Sequence, residues 1–337
     1  MLKNLITFFI ITIAVTGCNE SDHLNIYSSR HYDTDRELYD RFTEETGISI
    51  NLIEGGSDEL IERIKNEGLN SPADIVITVD AGRLWRAREA GVLQSVSSDI
   101  LEQRIPSDLQ DRDQYWFGLS QRIRGIIYHR DRVDPSELKG YQDLSGEKWR
   151  GRFCVRSSNN IYNQSLVASL IESQGMEETE EWATNLVANF ARPPQGGDTD
   201  QIKAVAAGQC DVALANHYYL ARLIASDSPA DRAVAEQVGI HFPPDEYGGT
   251  HINVSGAGVA VHSPNREHAI RFLEYLSEPE SQALFAGGNF EFPVTGETDV
   301  PDILRNFGSF DRNRINVTAY GSNNPLAIRL MDRAGWR

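Results

Sequence analysis

The sequence predicts an α/β chain organised as two domains. Strand-length apolar runs alternate with amphipathic helix-length segments along the N-terminal third, and glycines close those helices in turn. The 337 residues also span about two domains at roughly 100–200 residues each. With 27 Gly and 13 Pro the chain has an ordinary share of both, which excludes a fibrous repeat and a low-complexity chain.

Each element has a local cause. Residues 24–27 read as a strand. Thr34 to Glu37 form a capping-box pattern, Leu38, Tyr39 and Phe42 share one helical face, and Gly47 supplies the stop. Residues 48–53 alternate apolar and polar as a strand does. Ser57, Asp58 and Glu59 open a helix that turns Leu60, Ile61 and Ile64 inward and ends at Gly68. Residues 74–79 are nearly all apolar, as expected of a buried parallel strand. A helix over 84–90 follows and stops at Gly91. This β-α-β-α-β-α order specifies a parallel or mixed sheet. Residues 115–129 are strand-rich, and a second α/β region places strands at 153–156 and 211–215 with helices at 165–173 and 200–207. A late helix over 265–276 turns Ala269, Ile270, Phe272, Leu273 and Leu276 toward a core.

Charge and missing motifs exclude several functions. Asp and Glu number 49 against 32 Lys and Arg, a formal net charge of −17, which lacks the basic footprint that nucleic acid requires. No His-Glu-x-x-His, P-loop, Gly-x-Ser-x-Gly or zinc-type Cys/His spacing occurs. Gly256-Ala257-Gly258 is too little for a nucleotide site. The chain is expected not to be an enzyme.

At the N-terminus Lys3 precedes an apolar run over 5–15 that ends in Val15-Thr16-Gly17-Cys18. The run falls short of the roughly 18–20 residues of a membrane span and reads as a secretory signal over 1–17. The closing tetrad resembles the lipobox of bacterial lipoproteins, which implies lipid on Cys18 and a tether over 18–22. Ordinary cleavage leaving Cys18 a free thiol is the alternative, as is a buried N-terminal helix. In an oxidising compartment the remaining pair, Cys154 and Cys210, reads as a disulfide, worth about 4 kcal/mol by loop closure. Two buried thiols on neighbouring strands is the other reading.

Three stretches in register are similar to one known family. The first runs from Ala73 to Asp80 and continues at Glu89-Ala90-Gly91-Val92-Leu93. The second is Gly197-Asp198-Thr199-Asp200 with Ala206 to Ala213. The third joins Gly256 to Val261, the 269–276 helix, Glu280 to Phe285 and Phe292-Pro293-Val294. Together they resemble the substrate-binding proteins of bacterial ABC importers. The resemblance implies the two-lobed type II periplasmic binding protein fold, two α/β domains joined by a hinge. One lobe is expected over 23–118 with about 254–300, the other over 119–253 with about 301–337. The chain would cross between them near 118–123 and 249–254. It also implies a periplasmic, lipid-anchored location and an inner-membrane ABC permease as partner.

Tyrosines follow three of the strands, in Arg30-His31-Tyr32, Asn160-Ile161-Tyr162-Asn163 and Asn216-His217-Tyr218-Tyr219. Ligands of open α/β sheets sit beyond such strand ends. The Tyr pair is similar to that of the ferric-iron-binding proteins, and His31-Tyr32 with Tyr162 resembles their FutA type. This likeness implies Tyr32, Tyr162, Tyr218 and Tyr219 as metal ligands, with His31 as a fifth or as a hydrogen-bond partner of Tyr32. Glu54 stands nearest to the carboxylate ligand of a related subgroup and is expected to be dispensable.

The chemistry agrees. Fe³⁺ is a hard cation and phenolate a hard anionic oxygen donor, but a free phenol has a pKa near 10. Binding must therefore release protons and weaken in acid. Four phenolates leave one negative charge in excess on Fe³⁺, so a cation is expected nearby: Arg122 and Arg222 before Arg124. Reduction to Fe²⁺ offers a release route, and Fe²⁺ itself is a possible cargo. His217, beside the tyrosine pair, is read equally as a site neighbour or as an exposed polar residue, and His251 and His262 as structural. The rival readings are an importer protein for an organic or anionic molecule, and a non-transport iron sensor.

Overall fold

The computed structural model describes residues 22–30, 32–296 and 298–337. The signal and lipidation readings at 1–17 and Cys18, and the ligand reading at His31, lie outside them.

Strands β1 (His23–Ser28), β2 (Ser49–Glu54) and β3 (Ile75–Val79) are parallel and alternate with helices α1 (Thr34–Thr46), α2 (Ser57–Glu67) and α3 (Ala81–Glu89). After β4 (Leu93–Gln94) and α4 (Asp99–Arg104) comes the long strand β5 (Phe117–His129). The next section holds β6 (Phe153–Cys154), α5 (Ile161–Gln174), α6 (Met176–Ala188), α7 (Asp198–Ala206) and β7 (Val212–Asn216). It ends with α8 (His217–Ala225), α9 (Pro229–Gln237) and β8 (Val238–His241). Strand β9 (Ile252–Ala260) leads back to α10 (Arg266–Leu276), α11 (Pro279–Gly287) and β10 (Phe292–Pro293). Three helices finish the chain: α12 (Asp302–Asn306), α13 (Thr318–Ser322) and α14 (Asn324–Arg333).

One mixed sheet runs β2-β1-β3-β9-β5-β7-β6. Its two middle strands join separate cores. The 117–123 part of β5 pairs antiparallel with β9, and from Arg124 onward β5 pairs with β7. The first core gathers residues between Leu24 and Ile123 and between Ile252 and Val294, with Val317 and Tyr320. Two further clusters, centred on Ile126, Leu166 and Trp336 and on Ile127, Ile202 and Ala215, fill the other half. At the crossing, the Tyr141 hydroxyl donates to the Arg124 carbonyl and accepts from the His251 N–H at 2.9 Å. That staple ties the two connecting strands together.

Cys154 and Cys210 are joined as a disulfide with Cα atoms 5.9 Å apart. In α13, Gly321 packs so closely on α3 that a Cβ there would stand 2.2 Å from Trp85. Only glycine allows this contact, which brings the C-terminal helices against the first half, while α14 buries Leu330 and Met331 in the second.

Some local expectations are corrected. The capping box at Thr34 does not form; Asp33 caps α1 without a side-chain bond. Glu37 instead accepts from Arg41 at 2.6 Å, and Asp35 is drawn inward by Arg30, with bonds of 2.8 and 3.0 Å. Helix α5 starts at Ile161 rather than Ser165, because Asn160 accepts the Tyr162 N–H at 3.1 Å. His262 is exposed and has no core role.

His251 is 1 % exposed. Burial, with help from the Arg124 charge, pushes its pKa down to about 3. The native state therefore binds fewer protons than the unfolded chain between that value and the usual 6.5, so stability falls as pH drops through this window. Urea midpoints should show about 2–3 kcal/mol lost from this group by pH 4.5. The pH slope of His251→Gln should be shallower by that amount.

Candidate metal centre

The three tyrosine segments occupy equivalent places. Tyr32 follows β1, while Tyr162 stands in the first turn of α5 and Tyr218 and Tyr219 in the first turn of α8. The last two are therefore helical rather than strand-end residues. Backbone N–H groups at a helix start carry partial positive charge and favour an anion nearby. Asn216, at the N-cap of α8, makes no cap bond. Its amide reaches the Tyr218 hydroxyl at 3.5 Å and its carbonyl accepts from Arg124 at 3.1 Å.

All four phenols meet in one cluster. The Tyr218 and Tyr162 hydroxyls are 3.4 Å apart, and the Tyr218 and Tyr219 rings are 4.4 Å apart between centroids. Arg122 donates to the Tyr32 oxygen at 2.8 Å and approaches the Tyr162 oxygen at 3.5 Å. The Arg222 guanidinium lies 5.1 to 5.9 Å from the ring centres of Tyr32, Tyr218 and Tyr219. Two oxygens 3.4 Å apart can share one metal ion at bonds of about 2 Å, ordinary for a hard donor. Among the described residues no group of three or more His, Cys, Asp or Glu could hold a metal, so the cluster's donors are phenols.

The charges follow from burial. Tyr218 is 1 % exposed; burial lifts its pKa well above 10, against the pull of Arg122 and with a further push from the other phenols. Burial and Tyr162 push Tyr219 up to about 12. Both are neutral phenols at pH 7 in the absence of a cation. Burial would discharge Arg122, but Glu291 and the phenols outweigh it and keep the guanidinium charged. Glu291 holds the same balance from the other side: Arg122 and Arg30 overcome its burial and lower its pKa to about 2.

Sequence reasoning missed several of these groups. Glu291 is 0 % exposed and accepts from both Arg30 and Arg122, yet nothing in the sequence distinguishes it from the other carboxylates. Asp198 and Asn163 engage Arg124 at 3.1 and 2.6 Å, so Arg124 braces the second half instead of reaching a phenol oxygen. His217 is fully buried, correcting its reading as exposed. Its Nδ1 accepts the Ile123 N–H at 3.0 Å, and burial lowers its pKa to about 4. Glu54 sits exposed at the end of β2, lining an opening shared with Tyr32.

The halves also touch beside the cluster. Ser165, one turn beyond Tyr162, donates to Asp80 at 2.8 Å, and Arg222 donates to Asn289 at 2.5 Å. Asp80 is buried with φ at +84°, an unfavourable backbone for a side chain of this kind and of a type that concentrates at functional sites. Its carboxylate also accepts from the Gly82 N–H and from Asn253, linking α3, β9 and α5. Ser165→Ala should loosen the contact between the halves, seen as a larger radius of gyration of the metal-free protein in solution scattering.

Residues 37–302 match the family model of the bacterial extracellular solute-binding proteins. Iron uptake protein A1 of Synechocystis is 50 % identical over 318 residues, which cover 94 % of this chain and 88 % of that protein. The Fe(3+)-binding periplasmic protein of Serratia marcescens is 26 % identical over 92 % of this chain and 89 % of its own. The structure of a Trichodesmium IdiA or FutA protein in complex with iron and citrate has a TM-score of 0.92 at 57 % identity, over 94 % of this chain and all of that one. The ferric binding protein of Campylobacter jejuni has a TM-score of 0.86 at 39 % identity, over 93 % of this chain and all of that one. The chain belongs to the bacterial extracellular solute-binding protein family and, within it, to the FutA-type group.

Proposed function

We propose that this protein captures ferric iron between its two halves and hands it to an ABC permease in the inner membrane. The observation that carries the reading is the convergence of Tyr32, Tyr162, Tyr218 and Tyr219 beside Arg122 and Arg222. Relatives described as iron-uptake and ferric-binding proteins support it. The four phenols are the ligands, with His31 as a fifth or as a hydrogen-bond partner of Tyr32, and the two arginines offset the excess negative charge of a tetraphenolate ferric centre.

Tyr32 comes from one half and the other three tyrosines from the second, so bound iron favours the closed form, the hinge closure of such proteins. The dividing points are 123/124 and 251/252, where β5 changes partner and β9 begins pairing. A third passage lies between Tyr320 and Ala327, which pack in different cores. The protein works in the periplasm, held at a membrane by lipid on Cys18. Among the described residues no helix is long and apolar enough to span a membrane.

Because Tyr218 and Tyr219 bind their protons tightly, iron must displace them, and affinity should fall as pH is lowered. The test is a visible spectrum of chelator-stripped protein titrated with a weak ferric complex. A broad phenolate-to-iron charge-transfer band should saturate at one equivalent and vanish in Tyr218→Phe/Tyr219→Phe. A flat spectrum at neutral pH overturns the ferric reading.

A further inference from the structure

We infer that Glu291 is the positioning residue of this site: it orients the Arg122 guanidinium so that its free edge presents N–H groups to the phenols before cargo arrives. The inference rests on the ferric reading above and adds a residue on which cargo affinity depends.

A guanidinium has five N–H donors in a rigid plane. In Arg122, Nε and one hydrogen of Nη2 point to Oε1 of Glu291, at 3.2 and 3.0 Å. That occupies one edge of the plane. The opposite edge is left facing the cluster, where Nη2 reaches Tyr32 at 2.8 Å and Nη1 approaches Tyr162 at 3.5 Å. Its Cζ lies over the Tyr218 ring, 5.0 Å from the ring centre. Arg122 thus contacts three of the four tyrosines in one orientation.

Glu291 can impose that orientation because it is itself immobilised. Its Oε2 accepts from Arg30 at 2.9 Å, from Ser255 at 3.3 Å and from the Ser120 hydroxyl. Its backbone N–H is bonded to the Ala286 carbonyl at 2.8 Å. An arginine side chain has many rotamers to lose, and the Glu291 anchor fixes the one that meets the phenols. Ligand partners of this kind commonly control metal affinity although they never touch the metal.

A purely structural ion-pair network makes a different prediction, and Asp35 separates the two. Asp35 is similarly buried, at 3 % exposure, and binds Arg30 through both oxygens. It belongs to the same network but, among the described contacts, makes no bond to Arg122.

The experiment compares Glu291→Gln with Asp35→Asn in the mature protein. Ferric titration should show Glu291→Gln weakened about tenfold to a hundredfold, with a shifted charge-transfer maximum. Asp35→Asn should keep wild-type affinity and band even where its thermal midpoint falls. Wild-type affinity in Glu291→Gln, or an equal loss in Asp35→Asn, overturns the inference. If Glu291→Gln does not fold, Arg122→Gln/Glu291→Gln removes both charges together and should show the same loss; retained affinity there overturns it. A metal-free arm separates this inference from the ferric reading. In protein labelled with ¹³C at tyrosine Cζ, the Tyr32 resonance, assigned by Tyr32→Phe, should move further in Glu291→Gln than in Asp35→Asn. An unmoved resonance overturns the role of Glu291, whereas a missing charge-transfer band in wild type counts against ferric iron alone.

Discussion

Burying a charged arginine costs several kcal/mol unless partners meet its charge in place, and Arg122 is 1 % exposed. Glu291 answers that charge on one side, and the phenol oxygens use the remaining donors on the other. Arg30 in turn holds Glu291 and stacks between the rings of Tyr32 and Phe285, at 4.7 and 3.8 Å from their centres. The Tyr32 hydroxyl is therefore met through the Arg122–Glu291 pair. The tyrosines of the second half depend on helix starts instead. Asn160 caps the first turn of α5, and Arg124 and Asp198 fix Asn216 at the start of α8.

These two supports meet where the sheet changes partners. Arg122 and Arg124 are separated by one residue on β5, yet one serves the phenol cluster and the other braces the second half. Rotation at this point would part Tyr32 from Tyr162 while leaving each half's own core intact. On the ferric reading, a trivalent ion bonded to oxygens from both halves would oppose that rotation. Ser165 bonded to Asp80 and Arg222 bonded to Asn289 act in the same direction without metal. Their strength, about 1.5–3 kcal/mol for a hydrogen bond to a charged group, would let cargo decide the balance on the ferric reading.

Much of this was readable from sequence because its causes are local. Alternating strands and glycine stops such as Gly47 and Gly68 depend on neighbouring residues, and the elements appear within a few positions of expectation. The tyrosines were findable because strand ends mark where ligands gather. Glu291 was not, since its partner Arg122 lies 169 residues away and no periodicity announces such a pairing. The capping box at Thr34 fails because the helix is capped one residue earlier, at Asp33, and Glu37 pairs with Arg41 instead of reaching back. His217 looked exposed beside a tyrosine pair, but Phe292 packs against its ring at 5.0 Å and Ile123 bonds to it, both contacts from distant segments.

The central claim is that phenols from both halves share one ferric ion. A crystal structure of the iron-loaded protein, with diffraction recorded on either side of the iron absorption edge, tests it most directly. The account predicts a single anomalous peak per chain, within bonding distance of the hydroxyl oxygens of Tyr32, Tyr162, Tyr218 and Tyr219, in a closed molecule. A peak held by other residues, or one contacting only the second-half tyrosines in a closed molecule, would contradict it.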